Sequence, residues 1–281
     1  MEKSYDLHSH TLHSDGTLTP VELVQRAVEK GVNVLALTDH DVTDGLAEAQ
    51  LAAEAAGLRL IPGVEISASW DGLTIHVVGL DIDAQNTVLA QGLAGLRQQR
   101  DTRALEIAAG LEKAGIPGIY DGARALAKGK ILSRTHFARH LVTAGHAADV
   151  GKAFRKYLRK GKPGHVSSEW RPLSEAVQWI RAAGGLAVIA HPERYPLGQG
   201  KMRRLLTEFK EYGGAGVEVV SSSHTPAGID RFARYACEFE LLASRGSDFH
   251  GPEYTWVELG RLPQLPSHCV PVWHDNFGRK A

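Results

Sequence analysis

The sequence predicts an α/β fold built on a mostly parallel sheet, either open or closed into a barrel. Three observations predict it. Strand-like and helix-like segments alternate along most of the chain, the helices carry their own start and stop signals, and ligand-type residues sit where apolar strands end.

SYDLH (4–8) reads as a short strand. TPVELVQRAVEKG (19–31) reads as a helix: Thr19 and Glu22 have capping-box spacing, Pro20 takes the first helical position and Gly31 ends it. VNVLALTDHD (32–41) is a buried strand running into a polar loop, and GLAEAQLAAEAAG (45–57) is a helix stopped by Gly57. LRLIPGVEIS (58–67) and LTIHVVGLDI (73–82) are two further strands. The alternation resumes with a helix over 173–183, a strand GLAVIAHP (185–192) and a helix over 202–212. It ends with a strand GVEVVS (216–221), a helix over 229–238 and a strand LLASRGSDFH (241–250).

The stretch from Arg97 to Lys162 breaks this pattern and reads as helices and loops without a strand. It holds fifteen Lys and Arg against five Asp and Glu, a net +10. The whole chain balances at 32 of each, so the remainder carries −10. The expected organisation is a barrel formed by 1–96 and 163–281, with 97–162 as a basic helical insert over its active end. The charges suit either a solvated helical face or an anionic substrate.

The chain's 281 residues suffice for a substantial core. Neutral overall charge gives no reason to expect a polyanion-coating protein. The two cysteines, Cys237 and Cys269, have no CxxC spacing, which argues against a disulfide framework or a cysteine zinc site. With no signal-like N-terminus and no apolar run of membrane-spanning length, a cytoplasmic protein without a membrane or obligate protein partner is expected.

His8 and His10 lie two apart on a strand, so both point to one face. Two buried imidazoles side by side need something to hold. Asp15 follows; TDHD supplies His40, GVEIS Glu65, LTIHVVG His76, VIAHPER His191, and GSDFH Asp248 and His250. Strand ends converge on one face of such folds, and catalytic residues come from several of them. Nine nitrogen and oxygen donors exceed the needs of one ion. Two to three divalent ions fit better, and without thiolates the candidates are manganese first, then iron, zinc or magnesium. Ions about 3.5–4 Å apart, bridged by a carboxylate such as Glu65, would activate water and clamp a phosphoryl oxygen.

DLHSHTLHSDG, TDHD, GVEIS, AHP and SDFH resemble the motifs of the polymerase-and-histidinol-phosphatase (PHP) family of the amidohydrolase superfamily. The resemblance spans residues 6–250 and all nine ligand types. It implies a distorted (β/α)7 barrel, a metal cluster and phosphoesterase activity. The insert, with SRTHFARHLV, KGKPGHV and AGGLAVIAHPERY, resembles the branch that acts on nucleoside 3′,5′-bisphosphates. That branch removes the 3′-phosphate, and some relatives trim short RNA from the 5′ end. The implied ligand sets are His8, His10, Glu65 and Asp248; Asp15, His40 and His250; and Glu65, His76 and His191. Asp15, His250 and Glu65 are the catalytic candidates. Asp39 and Asp41 either orient His40 or cap the following turn, whereas Asp6 and His13 stay outside the ligand set.

A bisphosphate also needs a second anion site. Ser133 is a plausible N-cap, leaving the backbone N–H groups of Arg134 and Thr135 to face an anion. Arg134 adds a guanidinium fork. Arg100 and Arg103, three apart on one helical face, would complete the pocket, and Arg194 and His224 are further candidates for substrate contact. Asp15, Glu65 and His250 would touch the reacting phosphate. The expected partner is therefore a small anionic nucleotide, with short RNA or another small phosphoester as alternatives.

Overall fold

The structure is a computed structural model that describes residues 3–274. Among them, seven strands follow one another around one sheet in chain order: β1 (Tyr5–Asp6), β2 (Val34–Leu37), β3 (Arg59–Trp70), β4 (Leu73–Leu80), β5 (Leu186–Ile189), β6 (Gly216–Ser221) and β7 (Leu242–Gly246). β4 alone runs antiparallel to its neighbours. Its direction follows from the Asp71-Gly72 turn, where φ is 49° and 74°: both residues are left-handed, as a two-residue hairpin requires. The first and last strands then nearly close the ring. Leu7 N–H donates to the Arg245 carbonyl (3.0 Å), Asp248 N–H to His8 (2.9 Å) and His10 N–H to Phe249 (2.9 Å). The result is a distorted seven-stranded barrel wrapped by helices.

Alternation along the strands sorts the core. Val34, Ala36, Ile61, Val78, Leu80, Val188 and Ala190 gather in one small cluster with Leu7. Their neighbours in sequence, such as Leu35, Leu37, Val77 and Ile189, join a larger cluster with the helices. In α1 (Pro20–Glu29) the Thr19–Glu22 capping box forms as the sequence implies, and α2 (Leu46–Ala56) ends on left-handed Gly57.

α3 (Thr87–Lys113) begins ten residues ahead of Arg97. Leu89, Leu93 and Leu96 pack with the barrel core. Ala104, Ile107 and Leu111, further along the same helix, belong to a separate core with Ile119, Phe137, Leu141 and Leu158. The second core draws on α4 (Ile119–Leu126), α5 (Arg134–Thr143), α6 (Val150–Ala153) and a π-helical turn at Phe154–Leu158. One continuous helix thus ties the two cores, because no helix-breaking residue falls at position 97. α7 (Leu173–Ala182), α8 (Gln199–Glu211) and α9 (Pro226–Glu238) complete the wall.

Closure of the ring rests on a bare backbone at Gly246, where a Cβ would meet the His8 Cβ at 2.3 Å. Gly246→Ala should therefore push β1 from β7 and cost about 1–3 kcal/mol, the usual range for overpacking. Thermal denaturation should show the midpoint falling by roughly 2–4 °C per kcal/mol. An unshifted melting curve would mean the closure is slacker than this contact implies.

Candidate active site

The parallel strands deliver their carboxyl ends to one side of the barrel. His8 and His10 follow β1, and Asp15 lies on the next loop. His40 follows β2 and pairs by a backbone bridge with Glu65 inside β3. His191 follows β5, while Asp248 and His250 follow β7. Antiparallel β4 instead presents a residue near its start, His76. All nine expected ligand residues meet there. The backbone is strained where it does so: His191 and Asp248 have φ of 30° and 56° without being glycine.

Glu65, with no solvent exposure, lies at the centre. Its Oε1 is 2.9 Å from His76 Nδ1 and 3.0 Å from His191 Nε2. Its Oε2 is 2.9 Å from His40 Nδ1 and 3.3 Å from both His8 Nε2 and His10 Nε2. Asp248 Oδ1 lies 3.1 Å from His10 Nε2 and 3.4 Å from His8 Nε2. Asp15 Oδ1 lies 3.2 Å from His250 Nε2 and 3.8 Å from His40 Nε2.

Burial alone would raise the Glu65 carboxyl, but His40, His76 and His8 hold it well below the usual carboxylate range. Asp248 is likewise held low against burial, chiefly by Arg194 and His8. Burial opposes a proton on His10, yet the hydrogen bond to Asp248 and the adjacent Glu65 carboxylate push its pKa up to about 9. The site is thus a set of anionic oxygens that gathers cations.

Several donor atoms stay unsatisfied in this packing. His8 Nε2, Asp15 Oδ1, His40 Nδ1 and Glu65 Oε2 are fully buried without a hydrogen-bond partner among the described residues. Orphaned atoms facing a common centre are what divalent ions would satisfy. Three groups have donor atoms within 4.8 Å of one another: His8, His10, Glu65 and Asp248; His10, Asp15, His40 and His250; and His40, Glu65 and His76. Compared with the expected sets, His10 reaches into the second group. His40 takes the place expected of His191 in the third, although His191 still contacts Glu65. A separate group, Cys237, His268 and Cys269, also lies within 4.8 Å; wide sequence spacing concealed it.

The cage opens into a pocket of about 200 Å³ whose lining also includes Arg103, Arg134 and Trp170. Arg103 and Arg100 lie over the Trp170 ring at 5.5 and 5.1 Å. Burial lowers the Arg103 pKa, with Arg134 and Arg100 adding to the effect, and Arg103 Nε has no partner among the described residues. That guanidinium is short of an anion.

The other expected residues fare differently from one another. Arg100 lines the pocket, but its guanidinium is paired with Asp41 Oδ2 (2.6 Å), which offsets its charge internally, and donates to Ser67 Oγ (2.8 Å). The Thr135 N–H is not free, because it donates to the Ser133 cap (3.1 Å), whose Oγ also donates to Asp15 (3.1 Å). Asp39 accepts from Thr11 and Ser14, fixing the loop that carries Asp15, and Asp41 anchors Arg100 and Ser67. Neither aspartate has a hydrogen bond to His40 among the described residues. His224 donates to the Val219 carbonyl (2.9 Å) and stacks on Phe232, away from the pocket lining. Arg194 does line the pocket and binds Asp248 Oδ2 (2.6 Å). His13 packs on Gly45, and Asp6 accepts from the Ser247 and Gly260 N–H groups; both lie outside the ligand groups.

Sequence reasoning missed Glu218. It is buried in β6, with Oε1 2.7 Å from His8 Nδ1 and Oε2 accepting the His191 backbone N–H. One carboxylate orients the first ring and holds the strained backbone of the second. The signal was present: a lone carboxylate in the apolar run GVEVVS must find a donor to be buried.

The profile of the PHP domain family matches residues 6–183. The 3′,5′-nucleoside bisphosphate phosphatase of Chromobacterium violaceum is 48% identical over 275 residues, covering 98% of this chain and 96% of that protein. The 5′-3′ exoribonuclease of Haemophilus influenzae is 47% identical over 273 residues, covering 97% and 99%. Among solved structures, an amidohydrolase from Chromobacterium violaceum with bound sulfate and no metal superposes with a TM-score of 0.93 at 48% identity, covering 96% of this chain and 94% of that one. A metal-dependent phosphoesterase from Bifidobacterium adolescentis gives 0.82 at 28% identity, covering 97% and 94%.

Glu218→Gln keeps the shape but weakens the acceptor behind His8. Metal affinity, read by calorimetric titration of Mn²⁺ into ion-free protein, should fall about 10–100-fold. Unchanged affinity would deny Glu218 its orienting role.

Proposed function

The chain belongs to the PHP domain family of metal-dependent phosphoesterases, and on that premise we propose that it removes the 3′-phosphate from nucleoside 3′,5′-bisphosphates. One observation carries the reading: the carboxylate–imidazole cage and the unsatisfied Arg103 face a single pocket. A pocket lined by both a metal-type cage and arginine guanidinium groups suits a substrate with two phosphates. The name of the Chromobacterium violaceum relative supports it.

In this reading two to three divalent ions, manganese first, are held by His8, His10, Asp15, His40, Glu65, His76, His191, Asp248 and His250. When bound, they supply Lewis-acid charge and lower the pKa of water toward neutrality. The chain's own groups do the rest. Glu65 fixes the rings of His8, His10, His40, His76 and His191 relative to one another. Arg194 neutralises the outer oxygen of Asp248, and Ser133 holds the outer oxygen of Asp15, so each keeps Oδ1 turned toward the imidazoles. Asp15 and His250, 3.2 Å apart, both line the pocket, and as ligands they would hold an ion where charge builds on the leaving 3′-oxygen. Arg103 and Arg134 take the 5′-phosphate, and their charge keeps the scissile end of the substrate at the cage.

The names of the Haemophilus influenzae relative and of the Escherichia coli one, 45% identical over 271 residues, favour a second reading: a 5′-3′ exoribonuclease on short RNA. The two share the cage and the arginine wall and differ in what extends beyond the scissile phosphate.

With Mn²⁺, phosphate release from adenosine 3′,5′-bisphosphate should exceed that from adenosine 3′-monophosphate by at least about 100-fold in kcat/KM, the difference a charge-assisted contact of about 3 kcal/mol supplies. Arg134→Ala should remove most of that preference. Equal rates on the two substrates would reject the bisphosphate assignment, and a mononucleotide ladder from a 5′-phosphorylated oligoribonucleotide would support the second reading.

A further inference from the structure

A second cavity, of about 220 Å³, adjoins the catalytic pocket. The two share Thr135, Phe154, Arg194, Asp248 and His250, so the second space opens from the cage. Its walls change character. Val150 and Phe154 come from the insert, and Tyr254, Trp256 and Val257 from the loop after β7. Trp256 is 74% exposed, more than any other large apolar side chain among the described residues. It meets Tyr254 edge-on, ring centres 5.5 Å apart. Tyr254 is in turn steadied by Arg139, which lies 6.0 Å from its ring and binds Glu253 (3.1 Å).

Leaving an indole in water beside a catalytic pocket wastes apolar burial unless a ligand covers it. Phe154 links the two spaces: it lines both cavities, and the Arg134 guanidinium sits 5.8 Å over its ring. It also begins the π-helical turn, an irregularity that often marks a functional position.

We propose that this cavity is a nucleobase slot, in which Trp256, Tyr254 and Phe154 receive the base of the nucleotide whose phosphate lies in the cage. The proposal rests on the hydrolytic reading above and specifies the part of the substrate that the two anion sites leave unaddressed. Aromatic and valine walls suit a planar ring and not a phosphate. Recognition is by the face of the base. Stacking on an aromatic face does not depend on which base is present, so the slot tolerates different bases while demanding that one be present.

The test compares adenosine 3′,5′-bisphosphate with 1-deoxyribose 3,5-bisphosphate, which lacks the base, on Mn²⁺-loaded wild type, Trp256→Ala and Trp256→Phe. A base–aromatic stack supplies about tenfold or more. The ratio of kcat/KM for the two substrates should therefore be at least about tenfold in wild type, fall toward one in Trp256→Ala and recover in Trp256→Phe. A wild-type ratio near one, or a ratio that survives Trp256→Ala, overturns the slot. Tryptophan fluorescence separates this from failure of the hydrolytic reading. Adenosine 5′-monophosphate should quench wild type and quench Trp256→Phe far less, whether or not either bisphosphate is hydrolysed. Equal quenching, or none in wild type, would also overturn the slot.

Discussion

Glu65 sets the constraint that the rest of the site obeys. Its carboxylate is wholly buried and stays ionised because five imidazoles surround it. Those rings come from the ends of β1, β2 and β5 and from β4, so the strands must arrive in register for the charge to be tolerated. The Gly246 contact that seats His8, the left-handed backbones of His191 and Asp248 and the Glu218 bridge all serve this convergence. Removing one partner would leave a buried charge uncompensated, which costs far more than an exposed pair would.

Much of this was legible in the sequence. Histidines and carboxylates at strand ends have no packing rationale, so their positions could be read as ligands without coordinates. The α1 capping box and the glycine stops of α1 and α2 were legible for the same reason: local chemistry fixes them. The antiparallel course of β4 was encoded in Asp71-Gly72, a hairpin signal that the alternation of strands and helices outweighed. Less legible was how the ligands divide among ions. His10 and His40 each reach two groups, a matter of side-chain approach that spacing does not carry.

The residues around the cage were read least well, because their roles depend on who arrives from elsewhere in the chain. Arg100 and Arg103 look equivalent three apart on one helix. Only Arg100 meets Asp41, 59 positions away, and is internally neutralised. Ser133 was legible as the N-cap, but its Oγ takes the Thr135 N–H that the sequence left free for an anion. Glu218 went unnoticed inside a strand otherwise made for burial. The insert therefore brings less charge to the pocket than its +10 suggests: of its basic residues only Arg100, Arg103 and Arg134 line it, and Arg100 is paired with Asp41.

If the buried Glu65 carboxylate organises the proposed ions, its loss as a charge should empty the site. Metal content of purified, Mn²⁺-equilibrated protein, measured by inductively coupled plasma mass spectrometry on wild type and Glu65→Gln, tests it most directly. The account predicts two or three ions per wild-type chain, as expected for a clustered site, and one or none in a variant that remains folded by circular dichroism. Equal ion content in the two proteins would contradict it.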